Sequence, residues 1–105
     1  MYASIRRYTP KNPANTQNIN ELKRRIEDNF LPVVQDIRGF HSYAVVNCGK
    51  DVLSINLFED QQGATESARR AQEFVNRDPL KDQLGKPEIL EGEVLILKEA
   101  GVGVR

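Results

Sequence analysis

Tryptophan is absent from this chain, and cysteine, histidine and methionine occur once each among 105 residues. Each scarcity removes a class of chemistry. The lone Cys48 has no partner for an internal disulfide. One Cys and one His cannot supply the soft ligand set of a zinc or iron–sulfur site, so no metal or other cofactor is expected. Fifteen basic and fifteen acidic side chains cancel. No chain-wide field therefore favours nucleic-acid phosphates or anionic lipid, and neither partner is expected. The longest apolar runs, such as Val94-Leu95-Ile96-Leu97, are far too short for a bilayer span, and the first residues lack the basic-then-apolar order of a signal peptide. The expected location is the cytoplasm. No G-x-S-x-G, H-E-x-x-H or phosphate-loop pattern occurs, and Gly101-Val102-Gly103 lacks the third glycine and following helix of a dinucleotide site.

What is present reads as one α+β domain over residues 1–99, followed by a flexible tail at 100–105. Tyr2 to Tyr8 mixes β-branched and aromatic residues and stops at Thr9-Pro10, where proline removes a ladder donor. Asn18 followed three residues later by Glu21 resembles a capping box. From there Ile19, Leu22, Ile26, Phe30, Val33 and Ile37 trace one helical face, with Pro32 set to kink or split the helix. Phe40–Asn47 and Val52–Glu59 flank a glycine-containing loop and should form an antiparallel hairpin. Asp60 is placed to cap a second helix, whose small-residue stripe of Ala64, Ala68 and Ala71 suggests close packing on a sheet. Asp78-Pro79 ends that helix, and a last strand runs from about Glu88 to Lys98. The order is βαββαβ.

A weak internal repeat supports two βαβ halves: Ser4-Ile5-Arg6-Arg7-Tyr8 aligns with Ser54-Ile55-Asn56-Leu57-Phe58. Right-handed crossovers interleave such halves into a four-stranded antiparallel sheet, ferredoxin-like, with strands one and three central and both helices on one face. Alternation groups Ala3, Ile5, Leu53, Ile55 and Leu57 as the apolar set expected to meet the helices. Ser4, Arg6, Tyr8, Ser54, Asn56 and Phe58 form the opposite set, joined by His41, Tyr43 and Val45 and by Val94 or Leu95. That second face, polar with aromatics, is expected to be bare and to pair with another copy, making a homodimer.

The opening Y-A-S-I-R-R-Y strand, the F-L-P-V-V-Q-D-I-R-G-F passage from Phe30 to Phe40 and S-I-N-L-F-E-D from Ser54 to Asp60 resemble the dimeric α/β-barrel superfamily. The likeness is to its antibiotic-biosynthesis-monooxygenase-like branch, and it covers nearly the whole chain. It implies two sheets closed back to back, helices outside, and small ligands held between a sheet and its own helices or in the barrel. Activities implied include cofactor-independent oxidation of dihydroxyaromatics, haem degradation and isomerisation. The haem-degrading pattern is poorly met, because the second helix has no histidine.

An oxygenase without a cofactor needs a base to ionise its substrate and donors to hold the resulting anion. His41 is the candidate base, since imidazole titrates near neutrality, and Arg6, Tyr43 and Asn56 are the candidate substrate-binding donors. The alternatives are that His41 is an ordinary strand residue and that Arg6, Ser4, Ser54 and Asn56 pair with one another in a dimer interface. Arg7, on the other phase, either reaches a carboxylate past the sheet edge or lines a pocket under the helices. The expected function is a monooxygenase-like homodimer acting on a small organic molecule, aromatic ones included. The rival is a non-catalytic, ligand-sensing or interaction dimer.

Overall fold

The computed structural model describes residues 1–10, 16–77 and 84–100, with side chains placed from 19 onward in the first helix. Strands β1 (Tyr2–Tyr8), β2 (Phe40–Asn47), β3 (Val52–Phe58) and β4 (Glu88–Glu93) form one antiparallel sheet in the order β2-β3-β1-β4. The two central strands are those the internal repeat relates, and their register places Ile5 opposite Ile55. The predicted βαββαβ order and ferredoxin-like topology hold.

The first helix begins at Thr16, two residues before the expected Asn18 cap, whose side chain lies outside the described set. It is split: α1 (Thr16–Arg25) runs into a π-helical turn at Ile26–Phe30 and resumes as α2 (Leu31–Gln35). The N–H of Leu31 bonds to the carbonyl of Ile26, and Pro32 follows without a donor of its own. A widened turn just before a proline relieves the clash that the ring would cause in a regular helix. α3 (Gln61–Arg77) is capped as expected, with the Gly63 N–H donating to Asp60 Oδ1 at 3.1 Å. Asp78-Pro79 lies outside the described residues, as does the tail from 101 onward.

The helices cover the face opposite to the one alternation suggested. Tyr8 and Val52 pack with Leu22, Val75 and Leu84; Phe58 packs with Phe30, Val34, Ala64 and Ala71. The small residues let α3 approach closely, and a methyl group at Gly63 would stand 2.7 Å from Phe58 Cδ1. Ala3, Ile5, Leu53, Ile55 and Leu57, expected under the helices, instead form the helix-free face together with Ala44, Val46 and Leu90. The physical reason is that aromatics fill a sheet-to-helix gap, while most of the polar atoms between them bond to one another across β1 and β3.

β4 also ends earlier than expected. Tyr2 opposes Glu93, and Val94 donates to the Met1 carbonyl at 2.9 Å. Beyond that bond Leu95 and Ile96 are 86% and 88% exposed. Arg7 resolves to the carboxylate alternative: it lies near Asp51 (3.5 Å) and Glu88 (3.8 Å) at one end of the sheet. Among the described residues no helix is long and apolar enough to cross a membrane.

Candidate functional site

The alternation that sends Tyr8 and Phe58 under the helices sends Ser4, Arg6, Ser54 and Asn56 there too. They converge because β1 and β3 are neighbours in which Ser4 opposes Asn56 and Arg6 opposes Ser54. Arg6 is only 2% exposed, and Ser4 and Asn56 are fully buried. The guanidinium donates from Nη2 to Ser54 Oγ at 2.9 Å and from Nη1 to Ser4 Oγ at 3.3 Å. Asn56 Nδ2 donates to Ser54 Oγ (3.1 Å) and to the Ser4 carbonyl (3.3 Å). Arg6 Nε and Asn56 Oδ1 have no partner among the described residues.

Two phenols close the cluster. Burial pushes the Tyr8 hydroxyl pKa above its usual value, against the opposing pull of the Arg6 charge and hydrogen bond. Tyr43 is likewise pushed up by burial, against a hydrogen bond with Ser54 and the charge of Arg6. Both phenols are therefore neutral and protonated at physiological pH. Ser54 Oγ already accepts from Arg6 and Asn56, so its own proton is the one available to Tyr43.

These groups form the floor of an apolar recess. An inner cavity of about 30 Å³ is lined by Tyr8, Tyr43 and Ser54 below and by Leu22, Ile26, Phe30, Phe74 and Val75 from the helices. That is room for one water or one small substituent. An adjoining outer pocket of about 340 Å³ shares Leu22, Ile26, Tyr43, Val45 and Val52 with it and opens past Ile19, Leu31 and Asn47. The π turn supplies two of the inner walls, Ile26 and Phe30, and Phe30 stacks its edge on Tyr43 with centroids 5.8 Å apart. Larger clefts of about 510 Å³ run along α3, but they are open, and their Arg69, Arg70 and Glu66 are engaged with one another.

Of the four residues singled out in the sequence, the structure brings Arg6, Tyr43 and Asn56 together and leaves His41 apart. His41 sits at the register shift between Phe40 and Ser42, with Nε2 2.8 Å from Glu99 Oε1 and Nδ1 3.1 Å from Ser42 Oγ. It lines neither the inner cavity nor the outer pocket. Tyr8 and Ser54 belong to the cluster but were not read as site residues. The period-two spacing from Arg6 to Tyr8 was the signal that could have found Tyr8.

No family model matches the chain, and no curated protein matches it. Solved structures do. A monooxygenase from Streptomyces coelicolor, ActVA-Orf6, in complex with nanaomycin D is 17% identical over 93% of this chain and 92% of its own, with a TM-score of 0.65. This chain has the ferredoxin-like α+β fold from which dimeric α+β barrels are built. MhuD, in a mutant with two manganese protoporphyrin IX molecules per active site, matches over 95% of this chain and all of its own at 14% identity and a TM-score of 0.68. A putative antibiotic biosynthesis monooxygenase from Nitrosomonas europaea matches at 12% identity and a TM-score of 0.65 over 91% of this chain. At such identities the likeness carries the fold and no activity.

The recess of this chain does not suit haem. Its lining offers no imidazole or thiolate for iron, and the two phenols that face it are held in the protonated form.

Proposed function

We propose that the chain is a monooxygenase-like homodimer that binds a small aromatic molecule between its sheet and helices and oxidises or isomerises it without a bound cofactor. The observation carrying this reading is the composite recess: apolar walls sized for one or two rings, ending on a floor that carries the Tyr8 and Tyr43 hydroxyls beside Ser54. Such a division, apolar walls with a few convergent polar groups, is the usual make-up of a small-molecule site. Solved structures of the same fold hold nanaomycin D in one case and a porphyrin in another. The helix-free face supports the homodimer. Ile5, Leu53, Ile55, Leu57, Val46 and Leu90 form a continuous apolar surface that a second copy would cover.

Val45 lines both compartments and is itself 40% exposed, so a large side chain there fills the recess without entering the core. The test uses 1,4-dihydroxynaphthalene as probe. The wild-type protein should show a thermal shift with it, by selective binding to the native state, and should accelerate oxygen uptake. Val45→Trp should lose both. A shift without oxygen uptake would favour the ligand-sensing reading, and a shift unchanged in Val45→Trp would remove the recess as the binding site.

A further inference from the structure

We infer that the inner cavity is the seat of dioxygen: the aromatic ring stays in the outer pocket, and the oxygen molecule sits dry against it in the deep end of the recess. This rests on the recess being a site of cofactor-independent oxidation, and it gives the second reactant a place of its own.

Size sorts the two reactants. The inner cavity, about 30 Å³, exceeds the roughly 10–15 Å³ that one water needs and falls far short of the roughly 150 Å³ of a cavity that takes benzene. A ring therefore stops in the outer pocket of about 340 Å³. The two compartments share Leu22, Ile26, Tyr43, Val45 and Val52, so a guest of the inner one lies beside a ring in the outer one, which is the placement a reaction between the two requires.

Polarity decides what the inner cavity takes. A buried water needs about two to four polar partners. The lining holds no charged residue, and neither Arg6 nor Asn56 reaches it. Tyr8, Tyr43 and Ser54 bring hydroxyls, but their hydrogen bonds run within the polar cluster: Tyr8 with Arg6, Tyr43 with Ser54, and Ser54 with Arg6 and Asn56. Burial keeps both phenols neutral, so no charge holds water there. The rest of the wall is alkyl and ring carbon, with Phe30, Ala71, Phe74, Val75 and Leu84 closing the deep end. Apolar cavities stay dry and accept apolar guests such as xenon. Dioxygen is the apolar guest that the oxidation needs. A dihydroxyaromatic passes two electrons and two protons to it and leaves as the quinone, with hydrogen peroxide as the other product.

Xenon is the probe for the cavity, and Val75→Ile is the variant. Val75 lines the inner cavity and not the outer pocket, so the added methylene fills the first and spares the second. Under xenon pressure, crystals of the wild-type protein should show a xenon atom between Phe30, Phe74 and Val75. In Val75→Ile the KM for dioxygen should rise about tenfold, the scale of one methylene in an apolar pocket, while the anaerobic Kd for 1,4-dihydroxynaphthalene stays the same. The xenon result stands by itself if Val75→Ile does not fold. An empty cavity under xenon, or a KM for dioxygen that Val75→Ile leaves alone, would overturn the dioxygen seat and leave the recess standing. Weaker binding of the aromatic by Val75→Ile would also overturn it, because a substituent of the ring would then occupy the cavity. If wild-type protein binds the aromatic and takes up no oxygen, the oxidation reading fails and this inference fails with it.

Discussion

Replacing Gly63 with alanine sets two effects of opposite sign against each other. Gly63 lies inside α3, where alanine is better than glycine by about 1 kcal/mol because the unfolded chain has less backbone freedom to lose. On sequence alone Gly63→Ala is stabilising. The structure reverses the sign. An added Cβ would stand 2.7 Å from Phe58 Cδ1 and 2.9 Å from both its Cβ and Cγ. A ring can swing, but the Phe58 Cβ is tied to the backbone of a central strand, and Phe58 is fully buried. Relief therefore needs α3 to move off the sheet. Overpacking of this kind costs about 1–3 kcal/mol, and occasionally more. With one of the three contacts fixed to backbone, the upper part of that range applies, for a net loss of about 1–2 kcal/mol after the helix gain. In a domain of this size that lowers Tm by about 4–16 °C. Urea unfolding followed by far-UV circular dichroism measures it, with an unchanged m-value confirming that the denatured state is the same. A Gly63→Ala protein as stable as wild type, or more so, would refute the close approach of α3 to β3.

Two other expectations are independent of it. Hydrogen bonds from Arg69 and Arg70 hold the partly exposed Glu66 carboxyl at about 2, below its ordinary 4.5. Its folded-state pKa is depressed, so its contribution to stability is complete above the unfolded value and is lost as pH falls from about 4.5 toward 2. A carboxyl NMR titration should find that low midpoint, moving up in an Arg69→Ala/Arg70→Ala protein; a wild-type midpoint near 4.5 would show that the ion pairs are open in solution. Ile55→Glu places a charge at the middle of the helix-free face, beside Ile5. It should weaken self-association at least tenfold, about 1.4 kcal/mol, by sedimentation, while the isolated chain keeps its helical signal. A dimer of undiminished strength would mean that copies associate elsewhere.

Much of the fold is legible in the sequence. Pro32 announced the interruption of the first helix, though that it would be a π turn carrying Ile26 and Phe30 into the recess was not in the pattern. Asp60 announced the start of α3. The repeat from Ser4 to Tyr8 and Ser54 to Phe58 announced the central strand pair, and with it the grouping of Arg6 and Asn56, to which alternation in the second strand added Tyr43. His41 was grouped with them because alternation was carried through position 41 without the register shift between Phe40 and Ser42. A bulge inserts a residue and changes the phase, and nothing in the local composition marks it.

By itself, then, the sequence determined the element order, the central strands and which side chains travel together, because helical and strand periods are local properties of the backbone. Only the tertiary structure decided which set of each strand meets the helices. Period-two alternation separates two faces without naming the inner one, and a shift of one residue exchanges them. Here the fully aliphatic set lies on the helix-free face. The set with aromatics is buried beneath the chain's own helices, where Arg6 and Asn56 both donate to Ser54 and where Phe30 and Phe74 meet Tyr43 and Phe58. That choice turns a polar stripe into the floor of a pocket, and it depends on contacts between residues about fifty positions apart, which no local pattern contains.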